Sequence, residues 1–581
     1  MTKHTSDIFQ NPTELKLDKL SFCPTNAKGL QEWLSGVSIL QLGTSSQSLF
    51  NALLEISELK CQEMLRFDLV QILHPTLENI LTSLEKHFSN QGLITTERND
   101  QIIELSMLLR SHFAKIYIDI AKRCEQQLGQ QKFSIFSFGH KKSLQTARMA
   151  SIYYAIQQLT MLLYQQQMLY TTPMAGQWLA AHQLISCAIQ HNFYQSNLNQ
   201  ILGTQHPIST IAQAYSQLIL LDIFNTNQIR PAEIQGLFLC SEDWAKLIQI
   251  LPKETTLSRY TVDTAKDHPP IFNTEQTGNH ATNIYISTQS LLDHLSETQT
   301  KNGQYLSKNE KLFLTPALHF HIHNLLTNNT ERRHERYEYS AQINICFSLS
   351  VAHFYLSKGK NLNETLDLEA NYNFHNETSF VNSMDTSTQV SMSNAKALDR
   401  EAKQIHSAEV LDISVNGYRI KWTGETPAQL KTGEFILIQE NAQSQWRGGV
   451  IRWIKQSTDK SLELGLEVLT QDMYPCAAYV RTDRNSQNFQ PALLVQTSQL
   501  DQITTTLILP GSHLFREKQT IHLRLGKEEL KVYLTKAQLI TQSFIRFEYE
   551  LLNDQQESTV KDFISKQVNE IKNHDLWEAL K

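Results

Sequence analysis

Several things are scarce in this 581-residue chain, and each scarcity removes a class of protein. There are seven cysteines, Cys23, Cys61, Cys124, Cys187, Cys240, Cys346 and Cys476, and no CxxC pair among them. An odd, scattered set fits a reduced compartment and argues against a disulfide framework or a zinc finger. Long apolar runs are missing too: the richest stretch, 152–170, is broken by five glutamines and is too polar to span a bilayer. The opening MTKHTSDIFQNPTELKLDKL lacks the basic start and apolar run of a signal peptide. The expectation is a cytoplasmic protein without membrane insertion.

Positive charge is in short supply: 52 Lys and Arg against 58 Asp and Glu leave a net charge of −6. A general DNA or RNA binder draws its affinity from phosphate neutralisation, so that class is excluded, and a nucleotide-like ligand would have to meet a local basic cluster. No Ser-His-Asp arrangement, HExxH, P-loop or GxGxxG stands in a supporting context. Acidic residues such as Glu55, Glu58 and Glu63 read as solvated helix faces. An enzyme is not expected.

An apolar fraction of 41% is enough for packed domains, and the length calls for more than one core. Leucine and isoleucine recur at three- and four-residue steps over 48–88, 99–127, 142–170, 176–192, 210–224 and 231–251, the period of helices, with Pro75 starting a new helix or kinking the first. After Arg336 the period drops to two. AQINICFSLSVAHFYL, AEVLDISVNGYRIKW, GEFILIQ, GGVIRWI and SLELGLEVL read as barrel strands, and a second β region follows over 491–552.

The fold class is therefore multidomain α + β. We expect an N-terminal all-α helical domain over 1–250, a mixed connector over 251–318 and a six-stranded antiparallel β-barrel over 319–483. Residues 358–404, rich in Asn, Ser and Thr, read as a disordered insertion in that barrel. A second C-terminal β domain over 484–556, a candidate degenerate copy of the same barrel, and a helix over 557–581 complete the chain. His319, His321 and His323 would share one side of a strand; with no carboxylate or cysteine beside them they read as a polar strand face, not a metal site.

Two short stretches carry chemistry. TERRHERYEYS, starting at Thr330, holds Arg332, Arg333 and Arg336; DISVNG holds Asp412, Ser414 and Gly417 between two alternating runs. At that spacing a strand-to-strand turn aims a carboxylate and a hydroxyl the same way, while glycine allows close backbone approach or a positive φ. Guanidinium forks match both a phosphate and the O6/N7 edge of guanine, and a carboxylate accepts from guanine N1–H and N2–H2.

RxxxR followed by DxSxxG resembles the PilZ domain, the bacterial receptor for cyclic di-GMP. Arg452-Trp453 and Gly465 stand where such barrels carry an Arg-Trp strand and a closing glycine-containing strand, and the likeness covers 331–356 and 405–480. One departure is spacing: 75 residues (337–411) separate Arg336 from Asp412, and setting aside the 47 of 358–404 leaves 28, the usual separation. The resemblance implies cyclic di-GMP as ligand, bound by Arg332, Arg333, Arg336, Asp412, Ser414 and Gly417, with no cofactor and no metal. It also implies a switch in which an arginine segment orders on binding and alters an unidentified protein partner's docking to the helices. The competing reading is a helical interaction scaffold whose PilZ-like barrel binds no nucleotide.

Overall fold

The computed structural model describes residues 8–37, 41–87, 93, 96–130, 138–274, 280–300, 305, 307–328, 336–366, 403–441, 444–457, 459–481, 488–499, 502–553 and 555–578. They fall into two compact units, Met1–Thr226 with Pro231–Thr330, and Asn227–Arg230 with Glu331–Lys581. Among the described residues no helix is long and apolar enough to cross a membrane.

The first unit opens with helices α1 (Ala27–Ser35), α2 (Leu42–Glu58), α3 (Glu63–Glu85), α4 (Glu97–Gln130), α5 (Phe138–Met168), α6 (Gln177–Gln190), α7 (Leu198–Leu202), α8 (Ile211–Ile223) and α9 (Pro231–Trp244). Helix α3 shows why the apolar period decides: Leu73, Leu77, Ile80, Leu81 and Leu84 form one buried stripe. That stripe carries one continuous helix past Pro75, so the proline does not start a new helix there. Glu63, expected on a solvated face, is buried instead and pairs with the equally buried Arg66 at 3.1 Å. Arg110 is likewise internal, and Glu78, Glu85 and Gln158 meet its guanidinium at 3.2, 3.0 and 2.8 Å.

A four-stranded sheet follows in the order β1-β4-β2-β3, from β1 (Gln249–Leu251), β2 (Tyr260–Asp263), β3 (Ile271–Phe272) and β4 (Asn283–Ser287). Then come α10 (Gln289–Thr300), α11 (Lys308–Phe313) and α12 (Pro316–Thr327). The three histidines read as a strand lie on α12. Thr315 caps it, accepting from Leu318 N at 3.2 Å, and Pro316 occupies its first turn, a strong helix start that outweighs a short apolar alternation. His319 and His323 stack one turn apart, while His321 points elsewhere, to the carbonyl of Phe224 at 2.7 Å.

The second unit holds two closed six-stranded barrels. The first is β5 (Tyr337–Phe347), β6 (His406–Ser414), β7 (Gly417–Trp422), β8 (Phe435–Gln439), β9 (Arg447–Gln456) and β10 (Leu462–Thr470), closed in the order β10-β7-β6-β5-β8-β9. The second is β11 (Asp472–Tyr479), β12 (Gln490–Gln499), β13 (Gln502–Pro510), β14 (Gln519–Leu525), β15 (Glu528–Ile540) and β16 (Phe544–Leu551), closed as β11-β12-β13-β16-β15-β14. Strand β11, which alternation alone assigned to the first barrel, pairs with β12 and β14 of the second. A terminal helix, here α15 (Gln555–Glu578), packs Val560 and Ile564 onto the second barrel's core.

The run AQINICFSLSVAHFYL is only half strand. Ser348 adopts φ 82° and its Oγ accepts from Val351 N at 3.3 Å, so β5 ends and helix α13 (Leu349–Leu356) begins within one residue. The start of the expected insertion is ordered as well: Asn361 and Glu364 form a capping box on α14 (Leu362–Thr365), and Leu366 is buried against Ala477, Tyr479 and Phe489. The remainder of that insertion, 367–402, lies outside the described residues. Helix α13 meets the second barrel through His353, whose Nε2 lies 3.1 Å from the carbonyl of Cys476.

Two predictions follow from this packing. A Cβ on Gly417 would lie 2.1 Å from Leu466 O, a backbone atom that no rotamer change moves. Gly417→Ala should therefore cost the first barrel roughly 1–3 kcal/mol, read as faster hydrogen exchange at its amides. Burial drives His353 down to about 4 from 6.5, against the upward pull of its bond to Cys476 O. The unfolded chain binds a proton in that window that the folded chain refuses, so stability is full above pH 6.5 and is lost as pH falls toward 4. The same exchange measurement between those limits should show the slope, and His353→Gln, which keeps a donor without titrating, should flatten it.

Candidate ligand-binding site on the first barrel

Strand β6 starts in regular alternation, with Ala408 and Val410 buried toward the barrel interior. At Leu411 the register against β7 slips by one: Val410 pairs with Ile420, but Asp412 pairs with Arg419 and Ser414 with Gly417. This bulge reverses the parity of the strand. Ile413 joins Tyr418 on the inner side, and Asp412 and Ser414 turn to the outer face, where strict alternation would have buried Asp412 in the apolar core. Strand β5 is irregular at the same level, between Glu338 and Ala341, and Glu338 stands opposite Asp412.

On that outer face Asp412 is 8% exposed, covered by two guanidinium groups. Arg336, just ahead of β5, reaches Asp412 Oδ1 at 2.9 Å, and Arg419 reaches Oδ2 at 3.2 Å. Arg419 continues to Glu463 Oε2 on β10 at 2.8 Å, and Ser457 donates to Glu463 Oε1 at 2.9 Å. The result is an alternating chain of charges, Arg336, Asp412, Arg419, Glu463, lying across strands β5, β6, β7 and β10. Hydrogen bonding to Glu463, and to Asp412 beyond it, outweighs burial and raises the Arg419 pKa. Burial works upward on Glu463, yet the bonds from Arg419 and Ser457 hold its carboxyl below the usual range. Arg336 and Arg419 remain 33% and 38% exposed, so each can exchange its carboxylate partner for an anion arriving from solvent.

Two glycines let the strands carry this face. Gly417 gives close approach and not a positive φ, since its missing side chain leaves room for Leu466 O. Gly465, opposite Arg419 on one side and Trp453 on the other, seats the Trp453 indole: a Cβ there would fall 1.9 Å from Nε1. Arg452 is the extra residue of a further bulge and pairs with Glu467. Ser414 Oγ donates to the carbonyl of Gly417 at 3.4 Å, closing the hairpin whose turn residue Val415 is 79% exposed.

Of the residues singled out in the sequence, Arg336, Asp412, Ser414 and Gly417 are thus brought together, and Arg332 and Arg333 lie outside the described residues. Arg419 and Glu463 were missed. Arg419 was within reach of counting: a two-residue turn with Ser414 opposite Gly417 puts Asp412 opposite Arg419. Glu463 comes from a strand 44 residues further on and carries no local signal.

The three parts of the chain each match a family model. "Cyclic-di-GMP receptor FimW, N-terminal domain" matches residues 28–254, "Cyclic-di-GMP receptor FimW, middle PilZ domain" matches 260–397 and 373–475, and "FimW C-terminal beta-barrel domain" matches 476–552. A curated relative, the "Cyclic-di-GMP receptor FimW" of Pseudomonas aeruginosa, is 24% identical over 582 residues, covering 94% of this chain and 93% of its own. No solved structure matches. With helices, DxSxxG barrel and second barrel matched in order along the chain, this protein belongs to the PilZ-domain family in its FimW-type arrangement.

Proposed function

We propose that this chain is a cyclic di-GMP receptor, and that its output is a changed relation to a protein partner, not catalysis. The observation that carries the reading is Asp412 turned onto the outer barrel face between two partly exposed arginines. Cyclic di-GMP presents two phosphates and two guanine edges. Arg336 would trade Asp412 for a phosphate or for guanine O6/N7, which frees Asp412 Oδ1 to accept from guanine N1–H and N2–H2. Ser414 offers a further polar edge beside it, and Gly417 keeps the hairpin flush with β10.

Charge balance explains the need for the other arginines. Arg336, Asp412, Arg419 and Glu463 sum to zero, so a dianionic ligand needs added positive charge. Arg332 and Arg333 supply it: four residues of chain reach at most about 14 Å from Arg336. The boundary between the two compact units falls between Thr330 and Glu331, at the edge of this arginine run. A ligand that fixes the run fixes the junction as well, which is the physical basis we propose for coupling binding to partner docking on the helices.

The same ion pairs favour a second reading, a helical interaction scaffold, because both Asp412 oxygens are already engaged. Equilibrium titration of cyclic di-GMP into the full chain separates the two, with GTP as control. The receptor reading expects saturable binding that weakens roughly 5- to 150-fold in Arg336→Ala and in Asp412→Ala, from about 1–3 kcal/mol per bidentate guanine or phosphate contact. The Arg332→Ala/Arg336→Ala double variant should fall further. Absence of binding to the wild type by calorimetry and by a second equilibrium method would reject the receptor and leave the scaffold.

A further inference from the structure

Away from the barrel, in the helical unit, three side chains of different chemistry converge. Glu125 lies on α4, Cys187 lies on α6, and His191 caps the C-terminal end of α6 one turn after Cys187. Their ligand atoms all sit within 4.8 Å of one another. His191 Nε2 is 2.7 Å from Glu125 Oε1, and Cys187 Sγ is 3.7 Å from Glu125 Oε2. We infer that Glu125, Cys187 and His191 form a three-ligand site for a zinc-class divalent cation.

The donor set is the argument. One thiolate, one imidazole and one carboxylate select a borderline-soft d-block ion over calcium or magnesium, which take oxygen alone. The backbone N–H of His191 still bonds to the carbonyl of Cys187 at 3.1 Å, so the cap residue keeps the helical four-residue spacing and the two side chains face one ion from the same side. Bonds of about 2.0–2.3 Å in a tetrahedron hold ligand atoms roughly 3.3–3.7 Å apart. Cys187 Sγ lies 3.7 Å from Oε2 and His191 Nε2 lies 2.7 Å from Oε1, the two oxygens of Glu125, so the carboxylate and imidazole must shift by about an ångström for one oxygen to serve both partners at tetrahedral spacing. The side chains can move that far: His191 is 36% and Glu125 37% exposed, which also leaves an entry path and an open fourth position for water.

Arg148 completes the surroundings. It pairs with Glu125 Oε2 and stacks over Phe193 at 4.8 Å, fixing the carboxylate as outer-shell partners do. Its charge opposes the ion and moderates affinity. Burial, with the Glu125 charge beside it, pushes the Cys187 thiol up to about 11, so the ion displaces a proton as it binds. The sequence-based expectation of no zinc rested on missing CxxC pairs, and it does not reach this cluster because Glu125 and Cys187 are 62 residues apart in the chain. A bound ion would tie α4 to α6.

Cobalt(II) tests this directly, since a thiolate ligand gives a near-ultraviolet charge-transfer band. Titrating Co2+ into chelator-treated full-length protein should give one saturable equivalent with that band, displaced by Zn2+, and Zn2+ should raise the melting temperature. Cys187→Ala should abolish the band, and His191→Ala should weaken binding at least about 100-fold. His191 is at the surface, so its removal leaves the core packed, and circular dichroism confirms that both variants fold. No saturable band in the wild type, or the same band and affinity in either variant, would overturn the site.

Discussion

The outer face of the first barrel depends on one displaced residue. A single extra position at Leu411 moves Asp412 from the inner to the outer side of β6, opposite Arg419. Without it the carboxylate would sit in the apolar interior with Ala408 and Val410, unpaired and costly. With it, an otherwise ordinary strand holds a carboxylate that two guanidinium groups cover and solvent barely reaches. The glycines serve the same arrangement: Gly417 and Gly465 bring β10 and the Trp453 indole close to β7, where Arg419 can span from Asp412 to Glu463.

That chain of charges is poised and not strongly locked. Ion pairs a third or more exposed contribute little net stability, because water and salt screen them and the side chains lose rotamer freedom. Weak internal pairs are easily exchanged for an external anion. Arg419, raised by Glu463 and Asp412 together, is the more firmly held of the two; Arg336, which pairs with Asp412 and has no strand around its own backbone, is the one able to change hands. The face therefore combines a fixed half, Asp412 with Arg419, and an adjustable half at the edge of the arginine run.

Much of this was legible in the sequence, and the gaps have physical causes. The helical and two-residue periods marked the all-α start and the two barrels because core burial imposes those periods directly. The pairing of RxxxR with DxSxxG found Arg336 and Asp412 although 75 residues (337–411) separate them. The bulge left a trace, the adjacent apolar Val410 and Leu411 that break alternation. Where reading failed, a local cap or a long-range pairing overrode the pattern. Thr315 with Pro316 turned an apparent strand into α12, Ser348 cut β5 short, and β11 joined the barrel that follows it because its partners lie later in the chain. Glu463 carries no local signature at all, and of the Glu125, Cys187 and His191 cluster only the four-residue spacing of Cys187 and His191 is local.

The long connection from β5 to β6 has a structural reason that composition concealed. These strands are neighbours in the barrel, so a short turn would suffice to join them. The chain instead leaves β5 through α13, whose His353 bonds to Cys476 O, and continues to Leu366, which packs with Ala477, Tyr479 and Phe489. Both contacts are made to the second barrel, and both involve β11. The connection therefore begins as a brace between barrels before it runs on into 367–402. Strand β5 carries Arg336 at its entry and hands directly to α13 at its exit, so an event at the arginine face and the seat of the second barrel share one strand of eleven residues. In a closed barrel, where every strand is hydrogen-bonded on both sides, such a strand moves only with its neighbours, which makes the barrel itself the rigid part through which any ligand-driven change in this unit would have to act.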